Sequence, residues 1–246
     1  MTSITDIERS GNRTWPALDE LAYDGWLLRA ACGFTRRANS ITVYEASSVP
    51  LADKLTASEE WYDRRRLPTI FRTTPLTDHD VLEELDRRGY DDIDGAMVMS
   101  TPITDAVRDG SSVSGVPGED WWTVFSQDRD VEPHRSILEQ MWKGQSLPIG
   151  FAVGRDFGAA RAIGTAVIDG PYVAIFNMRT LPAAQRHGHA WEVLDRLLGW
   201  AQSHQVTHAY LQVAPANTAA VNLYMRYGFT WLYDYRYRTR PVAPAR

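Results

Sequence analysis

One short segment carries residue types that bind phosphate groups. Residues 180–190 connect a predicted strand to an amphipathic helix. A loop that feeds a helix N-terminus leaves backbone N–H groups without partners, and these groups together with the helix dipole favour an anion. Gly188 lets a ligand approach the backbone closely, and three neighbours add donors or positive charge: Arg186, His187 and His189. The segment predicts a pyrophosphate site, although an ordinary strand-loop-helix turn is the alternative.

Two motifs resemble those of the GNAT (Gcn5-related) N-acetyltransferases. Gln185, Gly188 and Ala190 match the Arg/Gln-x-x-Gly-x-Gly/Ala signature of that family. Residues 217–229 are similar to its Asn-x-x-Ala-x-x-Leu-Tyr-x-x-x-Gly-Phe segment in every specified position. The resemblance covers about residues 121–238. It implies the GNAT fold, an α/β (α+β) architecture in which a mixed twisted sheet is flanked by helices and splayed open between its fourth and fifth strands.

The resemblance also implies a site for acetyl-CoA as cosubstrate. In the family, backbone groups at the end of the fourth strand hold the pantetheine arm, and the matching positions are Met178, Arg179 and Thr180. The pyrophosphate loop corresponds to residues 185–190. His187 stands where a lysine or arginine is common, so we expect phosphate affinity to rise as the pH falls toward protonation of its imidazole.

Tyr224 is the predicted catalytic residue. In the family this tyrosine is the usual general acid, and a phenol with a pKa near ~10 stays protonated until a thiolate leaving group forms. A tyrosine on the apolar face of a helix can instead be a packing residue, but the flanking matches favour catalysis. Asn217 lies two turns earlier on the same face. We expect it both to cap the helix and to lie near the pantetheine arm.

The sequence reveals no general base. The predicted fourth strand offers Asn177 and no carboxylate, so ordered water, Glu139, Asp169 or a histidine could accept the proton of the amine. A backbone N–H of that strand is expected to support the oxyanion. The predicted function is transfer of an acetyl group from acetyl-CoA to a primary amine of a small molecule or peptide. The alternative is a catalytically idle acyl-CoA sensor or interaction module.

Hydrophobic spacing predicts the elements that position these residues. Apolar residues recur at helical spacing over 190–201 and over 217–227. Strands are predicted at 121–125, 151–154, 161–168, 172–179, 209–213 and 231–239, and a further helix at 131–142. The phosphate loop and Tyr224 therefore belong to neighbouring strand-helix units.

A weaker version of the same order precedes residue 106. Strands are predicted at 25–30, 40–44, 69–73 and 93–100, and helices at 51–66 and 78–88. Residues 106–120 are rich in glycine and serine and predict a linker. We therefore predict two tandem GNAT-like halves, namely a degenerate N-terminal domain at 1–105 and a catalytic domain at 121–246. The first resembles the N-terminal region of some actinobacterial GNAT proteins.

The first half departs from the family at both functional positions. Residues 47–50, which precede its first predicted helix, contain no glycine, and Asp86 stands where the second half has Tyr224. A loop without glycine is less able to bring its backbone close to a phosphate. We expect only the second half to bind acetyl-CoA.

Composition argues against several other classes of protein. The 246 residues carry a net charge of -5 and are 44% hydrophobic, which fits a globular chain and argues against nucleic acid as a partner. Cys32 is the single cysteine, and the histidines show no metal-site spacing, so we predict no disulfide and no metal. A polar N-terminus and the lack of a long apolar run predict a cytoplasmic protein that is not associated with membranes. We expect a monomer or a homodimer.

Overall fold

The computed structural model describes residues 3–45, 48–104, 112–127 and 132–241. The Cα positions group into two compact units, each made of separate stretches of the chain. The first unit contains Met1–Met97, Ser136–Gly144 and Tyr233–Arg246. The second unit contains Val98–Arg135 and Gln145–Leu232.

A mixed sheet forms the framework of the first unit. Its strands are β1 (Asp19–Tyr23), β2 (Trp26–Ala30), β3 (Ile41–Val43), β4 (Thr69–Thr73), the first part of β5 (Asp91–Pro102) and most of β10 (Thr230–Arg240). Its helices are α1 (Ile4–Thr14), α2 (Leu51–Asp63) and α3 (His79–Arg87). The first three strands form an antiparallel meander, β3 runs parallel to β4, and β10 pairs antiparallel with β4.

The interior of this unit contains both apolar and charged side chains. Aromatic and aliphatic residues of α2, α3 and the strands form one buried cluster that includes Trp26, Leu55 and Phe71. α1 instead buries mostly polar residues. Among them is Glu8, whose carboxylate accepts two hydrogen bonds from Arg72, at 2.7 and 2.9 Å. Each of these two charges compensates the other, because either charge alone would be costly to bury.

The second unit has the same kind of sheet. Its complete strands are β6 (Ile149–Asp156), β7 (Ala159–Asp169), β8 (Tyr172–Thr180) and β9 (His208–Val213). Its helices are α4 (Glu119–Ser126), the start of α5 (Glu132–Lys143), α6 (His189–Ser203) and α7 (Thr218–Tyr227). β6, β7 and β8 form an antiparallel meander, β8 runs parallel to β9, and β5 lies next to β9.

α6 packs closely on the sheet of the second unit. Its buried face consists of Val193, Leu194, Leu197 and Leu198, which recur at helical spacing. A Cβ atom at Gly164 in β7 would lie 2.8 Å from side-chain atoms of both Val193 and Leu197. Glycine at this position therefore lets α6, the helix after the predicted phosphate loop, lie directly on β7.

The two halves of the chain repeat one order of elements, as the sequence predicts. α1-β1-β2-β3-α2-β4-α3-β5 is followed, after α4, by α5-β6-β7-β8-α6-β9-α7-β10. The units differ from the predicted boundaries at 105 and 121 because β10 pairs with β4 and belongs mostly to the first unit. Within the predicted linker at 106–120, positions 106–111 lie outside the described residues, and Glu119 already begins α4.

Two parts of the prediction are wrong. Residues 121–125 form part of α4 and not a strand, with Trp121, Trp122, Val124 and Phe125 buried. A short apolar run has no clear period, so it fits either type of element. α1 and β1 were not predicted, because the buried face of α1 is polar and β1 is largely exposed. In the described part of the chain, no helix is both long and apolar enough to span a membrane.

Candidate active site

The sheet of the second unit opens between β8 and β9. Their parallel ladder ends at the pair Ile175 and Leu211. β8 continues to Thr180 and stays paired there with Ala162 of β7. The edge of β8 that faces β9 is therefore not used by this ladder beyond Ile175. Met178, Arg179 and Thr180, the positions predicted to hold a pantetheine arm, lie in the part of β8 beyond its ladder with β9 and are partly exposed.

An irregularity in β8 marks the point where the strands part. Asn177 has a φ of 52°, and the pairing register between β7 and β8 shifts opposite it, between Ile163 and Thr165. A bulge of this kind bends a strand and changes the direction of its backbone groups. The Asn177 amide donates to Thr165 Oγ1 at 3.3 Å, which anchors the bulge to the buried side chain of β7.

The loop after β8 presents its backbone at the N-terminus of α6. A short 3-10 turn at Pro182–Ala184 leads to Gln185, Arg186, His187 and Gly188, all exposed. Gly188 is the N-cap of α6 and, within the described chain, no side chain caps this helix end. The first N–H groups of a helix without such a cap remain available to a ligand. The exposed loop has the properties expected of an anion site.

The geometry explains the glycine at position 188. Its φ of 87° lies in the left-handed region, which residues with a Cβ atom adopt at a cost. A Cβ atom here would meet no heavy atom within 4 Å. The residue is therefore not needed for protein packing, and the space beside the backbone is open.

The two loop histidines differ in exposure. His187 is exposed, whereas His189 is 9% exposed and its Nδ1 lies 3.8 Å from Glu192 of the same helix. Gln185, Arg186 and His187 are thus exposed donor side chains of the predicted set. Ala190, also in that set, is partly buried in the first turn of α6.

α7 is held at both ends by the residues of the second motif. Asn217 Oδ1 accepts a hydrogen bond from the Ala220 backbone N–H at 3.2 Å, which confirms the predicted cap. At the other end Gly228 has a φ of 104°, and the Phe229 N–H donates to the Tyr224 carbonyl at 2.9 Å. Contact between Asn217 and an acyl donor stays a prediction.

Tyr224 is the single buried residue of α7. Its ring lies 5.9 Å from that of Phe229. Burial raises the pKa of the Tyr224 phenol to about 12. The hydroxyl is thus protonated throughout the neutral range and is able to donate a proton to a strong base.

Asp169, one of the candidates for a general base, lies beside the end of β8 that is away from the opening. Asp169 pairs with Tyr172 at the start of β8. It is therefore roughly 16 Å along the strand from Asn177. Glu139 lies in the stretch of α5 that belongs to the first unit. Among the described residues, no group of three or more His, Cys, Asp or Glu side chains is placed to hold a metal.

In the first half, a side chain of the protein binds the loop that corresponds to the predicted phosphate loop. Position 47 lies outside the described residues, but Ser48 and Val49 precede α2 as the phosphate loop precedes α6. Asp24 Oδ2 accepts from both of their backbone N–H groups at 2.9 Å, and Oδ1 accepts from the Ser48 hydroxyl at 2.7 Å. Lys54 Nζ lies 3.5 Å from the same carboxylate. A carboxylate of the protein therefore occupies the position where an anion would bind. The sequence contains no local signal for this contact.

Comparisons with known proteins agree with the fold. Residues 2–238 match the family described as "Probable histone acetyltransferase Rv0428c C-terminal". The chain is 28% identical to "Uncharacterized N-acetyltransferase YobR" of Bacillus subtilis (strain 168), over 98% of this chain and 100% of that protein.

Two solved structures show the same architecture at low sequence identity. A GCN5-related N-acetyltransferase from Kribbella flavida has a TM-score of 0.69 at 12% identity, covering 98% of each chain. A tandem GNAT protein from the clavulanic acid biosynthesis pathway has a TM-score of 0.65 at 12% identity, covering 98% of this chain and 89% of that one. The chain therefore belongs to the Rv0428c C-terminal acetyltransferase family and is an acyltransferase with the GNAT fold.

Proposed function

We propose that the protein is a cytoplasmic N-acetyltransferase that moves the acetyl group of acetyl-CoA to a primary amine of a small molecule or peptide. The observation that carries this proposal is the opening between β8 and β9, which begins where their ladder ends at Ile175 and Leu211. In the same unit the opening is accompanied by an uncapped helix N-terminus at Gly188 and by the buried phenol of Tyr224.

Each part of a CoA thioester has a chemically matched partner. The N–H groups at the start of α6, with Arg186 and His187, would bind the pyrophosphate. The backbone of residues 178–180 would hydrogen-bond the amide groups of the pantetheine arm, as a neighbouring strand would. The open space beside Gly188 leaves room for a ligand next to the loop backbone.

Tyr224 would act on the leaving group. Attack by a neutral amine forms a C–N bond and breaks the C–S bond, so the departing sulfur must gain a proton. Tyr224 holds a proton at neutral pH, because burial raises the pKa of its phenol to about 12. The amine must lose a proton, and with no carboxylate in β8 we propose ordered water as the acceptor.

A catalytically idle acyl-CoA sensor is the second candidate. The sequence of β8 favours it in one respect, since Tyr172–Thr180 contains no acidic residue that could serve as general base. The sensor would bind acetyl-CoA but would transfer nothing, so the two candidates differ in turnover and not in affinity.

An acceptor panel with a CoA-release assay tests the proposal. The purified full chain would be incubated with acetyl-CoA and, in turn, with amino acids, polyamines, aminoglycosides and lysine-bearing peptides. We include lysine peptides because the description of the family names a histone acetyltransferase. Acceptor-dependent CoA release, with the acetylated amine identified by mass spectrometry, supports the enzyme. Tight acetyl-CoA binding with no release on any acceptor supports the sensor, and no binding refutes both.

A further inference from the structure

Trp191 is a large aromatic residue beside the predicted phosphate loop. The packing of α6 on the sheet does not explain why an aromatic residue stands here. Trp191 lies in the first turn of α6, three positions after Gly188, and its side chain is 41% exposed. The face of α6 that packs on the sheet is formed by other residues, such as Val193 and Leu197. Trp191 therefore presents part of an indole surface next to the predicted anion site.

The position of Trp191 is supported from α7. Its ring centroid lies 4.5 Å from that of Tyr227, with an angle of 47° between the rings. The Tyr227 hydroxyl donates to Asp195 Oδ1 at 2.6 Å. Asp195 follows Trp191 by one turn of α6, so the tyrosine bridges the two helices. Contact with Tyr227, which is itself bonded to Asp195, therefore supports the orientation of the Trp191 ring.

The distance along α6 suits one part of a CoA molecule. Three residues of an α-helix rise by about 4.5 Å, so the indole lies about one turn from the N–H groups at Gly188. A pyrophosphate bound at those groups carries an adenosine on one side and the pantetheine arm on the other. Because the pantetheine arm is directed into the opening at β8, the adenosine must lie outside it, on the loop side of α6.

We propose that Trp191, supported by Tyr227, stacks against the adenine of the acyl-CoA donor. This inference rests on the proposed function, since it assigns a second contact to the same ligand. A purine offers a flat π-face, and stacking on an aromatic side chain stabilises a bound base without reading its hydrogen bonds. The surface would thus distinguish CoA from shorter thioester donors that lack the nucleotide.

The test compares two ligands with the full-length protein by calorimetry. CoA carries the adenosine, whereas 4′-phosphopantetheine keeps the pantetheine arm and one phosphate but has no base. We expect Trp191→Ala to weaken CoA binding by about 5- to 150-fold, the range expected for loss of one stacked base. The same variant should leave the affinity for 4′-phosphopantetheine within about twofold, and Trp191→Phe should restore most of the CoA affinity.

Trp231→Ala is the matched control. Trp231 is another exposed tryptophan of the second unit, 61% exposed, at the start of β10. Its removal should change neither affinity. As a second measurement, CoA should quench a component of the fluorescence that is missing in Trp191→Phe, whereas 4′-phosphopantetheine should not.

Three results separate the outcomes. An equal loss of affinity for both ligands in Trp191→Ala would mean that the residue only shapes the loop, and no loss for CoA would mean that the base lies elsewhere. Either result overturns the stacking proposal and leaves the proposed function standing. If the wild-type protein binds neither ligand, the proposed function itself is wrong.

Discussion

At the scale of single residues, the burial of Tyr224 decides what its hydroxyl can do. Removal from water disfavours the phenolate, and burial therefore raises the pKa of Tyr224 to about 12. A group with this pKa is a poor base and a weak acid toward water, but it can still protonate a thiolate at the moment the C–S bond breaks. Burial therefore keeps the proton on Tyr224 at neutral pH but makes the phenol a weaker acid than an exposed tyrosine.

Tyr224→Phe tests this role most directly. The variant keeps the ring that packs near Phe229 and removes only the hydroxyl, so thermal unfolding and CoA affinity should change little. We expect kcat on an identified acceptor to fall by roughly 10²-fold, the lower end of the contribution of a general acid, since water can partly replace it. The fall should shrink with an acyl donor whose leaving group needs no proton. An unchanged kcat would make Tyr224 a packing residue.

The buried pair of Glu8 and Arg72 predicts how the stability of the first unit depends on pH. Burial tends to raise the pKa of Glu8, but attraction and hydrogen bonds from Arg72, with a further hydrogen bond from Tyr233, lower it overall. A carboxyl pKa that is lower in the folded than in the unfolded protein stabilises the fold above the unfolded value near 4.5. This contribution is lost as the pH falls through the lowered value.

Glu8→Gln should therefore destabilise the protein strongly at neutral pH. We expect a loss of about 3–5 kcal/mol in the free energy of unfolding by urea at pH 7, because Arg72 is left buried without a charge partner. The difference from the wild type should shrink below pH 4. Glu45→Gln is the control, since Glu45 and its partner Arg9 are 67% and 49% exposed in their side chains. It should cost less than about 1 kcal/mol. Equal losses in both variants would mean that the buried pair of Glu8 and Arg72 contributes no more than an exposed pair.

At the scale of elements, a comparison of two glycines tests whether residues 185–190 bind phosphate or form an ordinary turn. Gly188 and Gly158 have nearly the same φ, 87° and 85°, and a Cβ atom at either position meets no heavy atom within 4 Å. Gly158 lies in the turn between β6 and β7. Valine at either position should cost a similar 1–2 kcal/mol or so of backbone strain.

Only Gly188→Val should affect the ligand. We expect it to weaken CoA binding by at least about 10-fold, because the added side chain fills the open space beside the loop backbone. Gly158→Val should show the same drop in melting temperature with unchanged CoA affinity. Calorimetry and thermal unfolding of the two variants supply the comparison. Normal CoA binding by Gly188→Val would reduce the loop to a structural turn.

The sequence predicts elements well where their buried side is apolar. α6, α7, β4 and β8 lie within a few residues of their predicted bounds. The two helices have apolar residues at helical spacing, and the two strands have short apolar runs. α1 was missed because it buries Glu8 and Asn12, whose partners Arg72 and Thr42 come from distant parts of the chain. Local pattern carries no information about such partners.

The same limit applies to the candidate site. The motif residues from Gln185 to Ala190 and from Asn217 to Phe229 were recognisable, since their spacing is local. The contact between Asp24 and the loop at Ser48, and the bridge from Tyr227 to Asp195, join residues 24 and 32 positions apart. Only the folded chain brings these groups together.

At the scale of the whole molecule, the two tandem halves share an order of elements but differ in the loops that precede α2 and α6. The loop before α6 exposes its backbone and has a glycine at the helix start, whereas the N–H groups of Ser48 and Val49 before α2 are bonded to Asp24. An incoming phosphate would have to displace a carboxylate that is already part of the fold. Duplication of the fold therefore does not imply duplication of the site.

We predict one acetyl-CoA per chain, bound by the second half between Met178 and Tyr224. Calorimetric titration of the full chain should give a stoichiometry near one, because Asp24 accepts three hydrogen bonds from Ser48 and Val49 in the first half. Gly188→Val should remove most of the signal. Asp24→Asn should leave the stoichiometry and affinity unchanged, since it alters only the loop before α2. Two equivalent sites in the wild type would contradict this assignment and place a functional anion site in the first half.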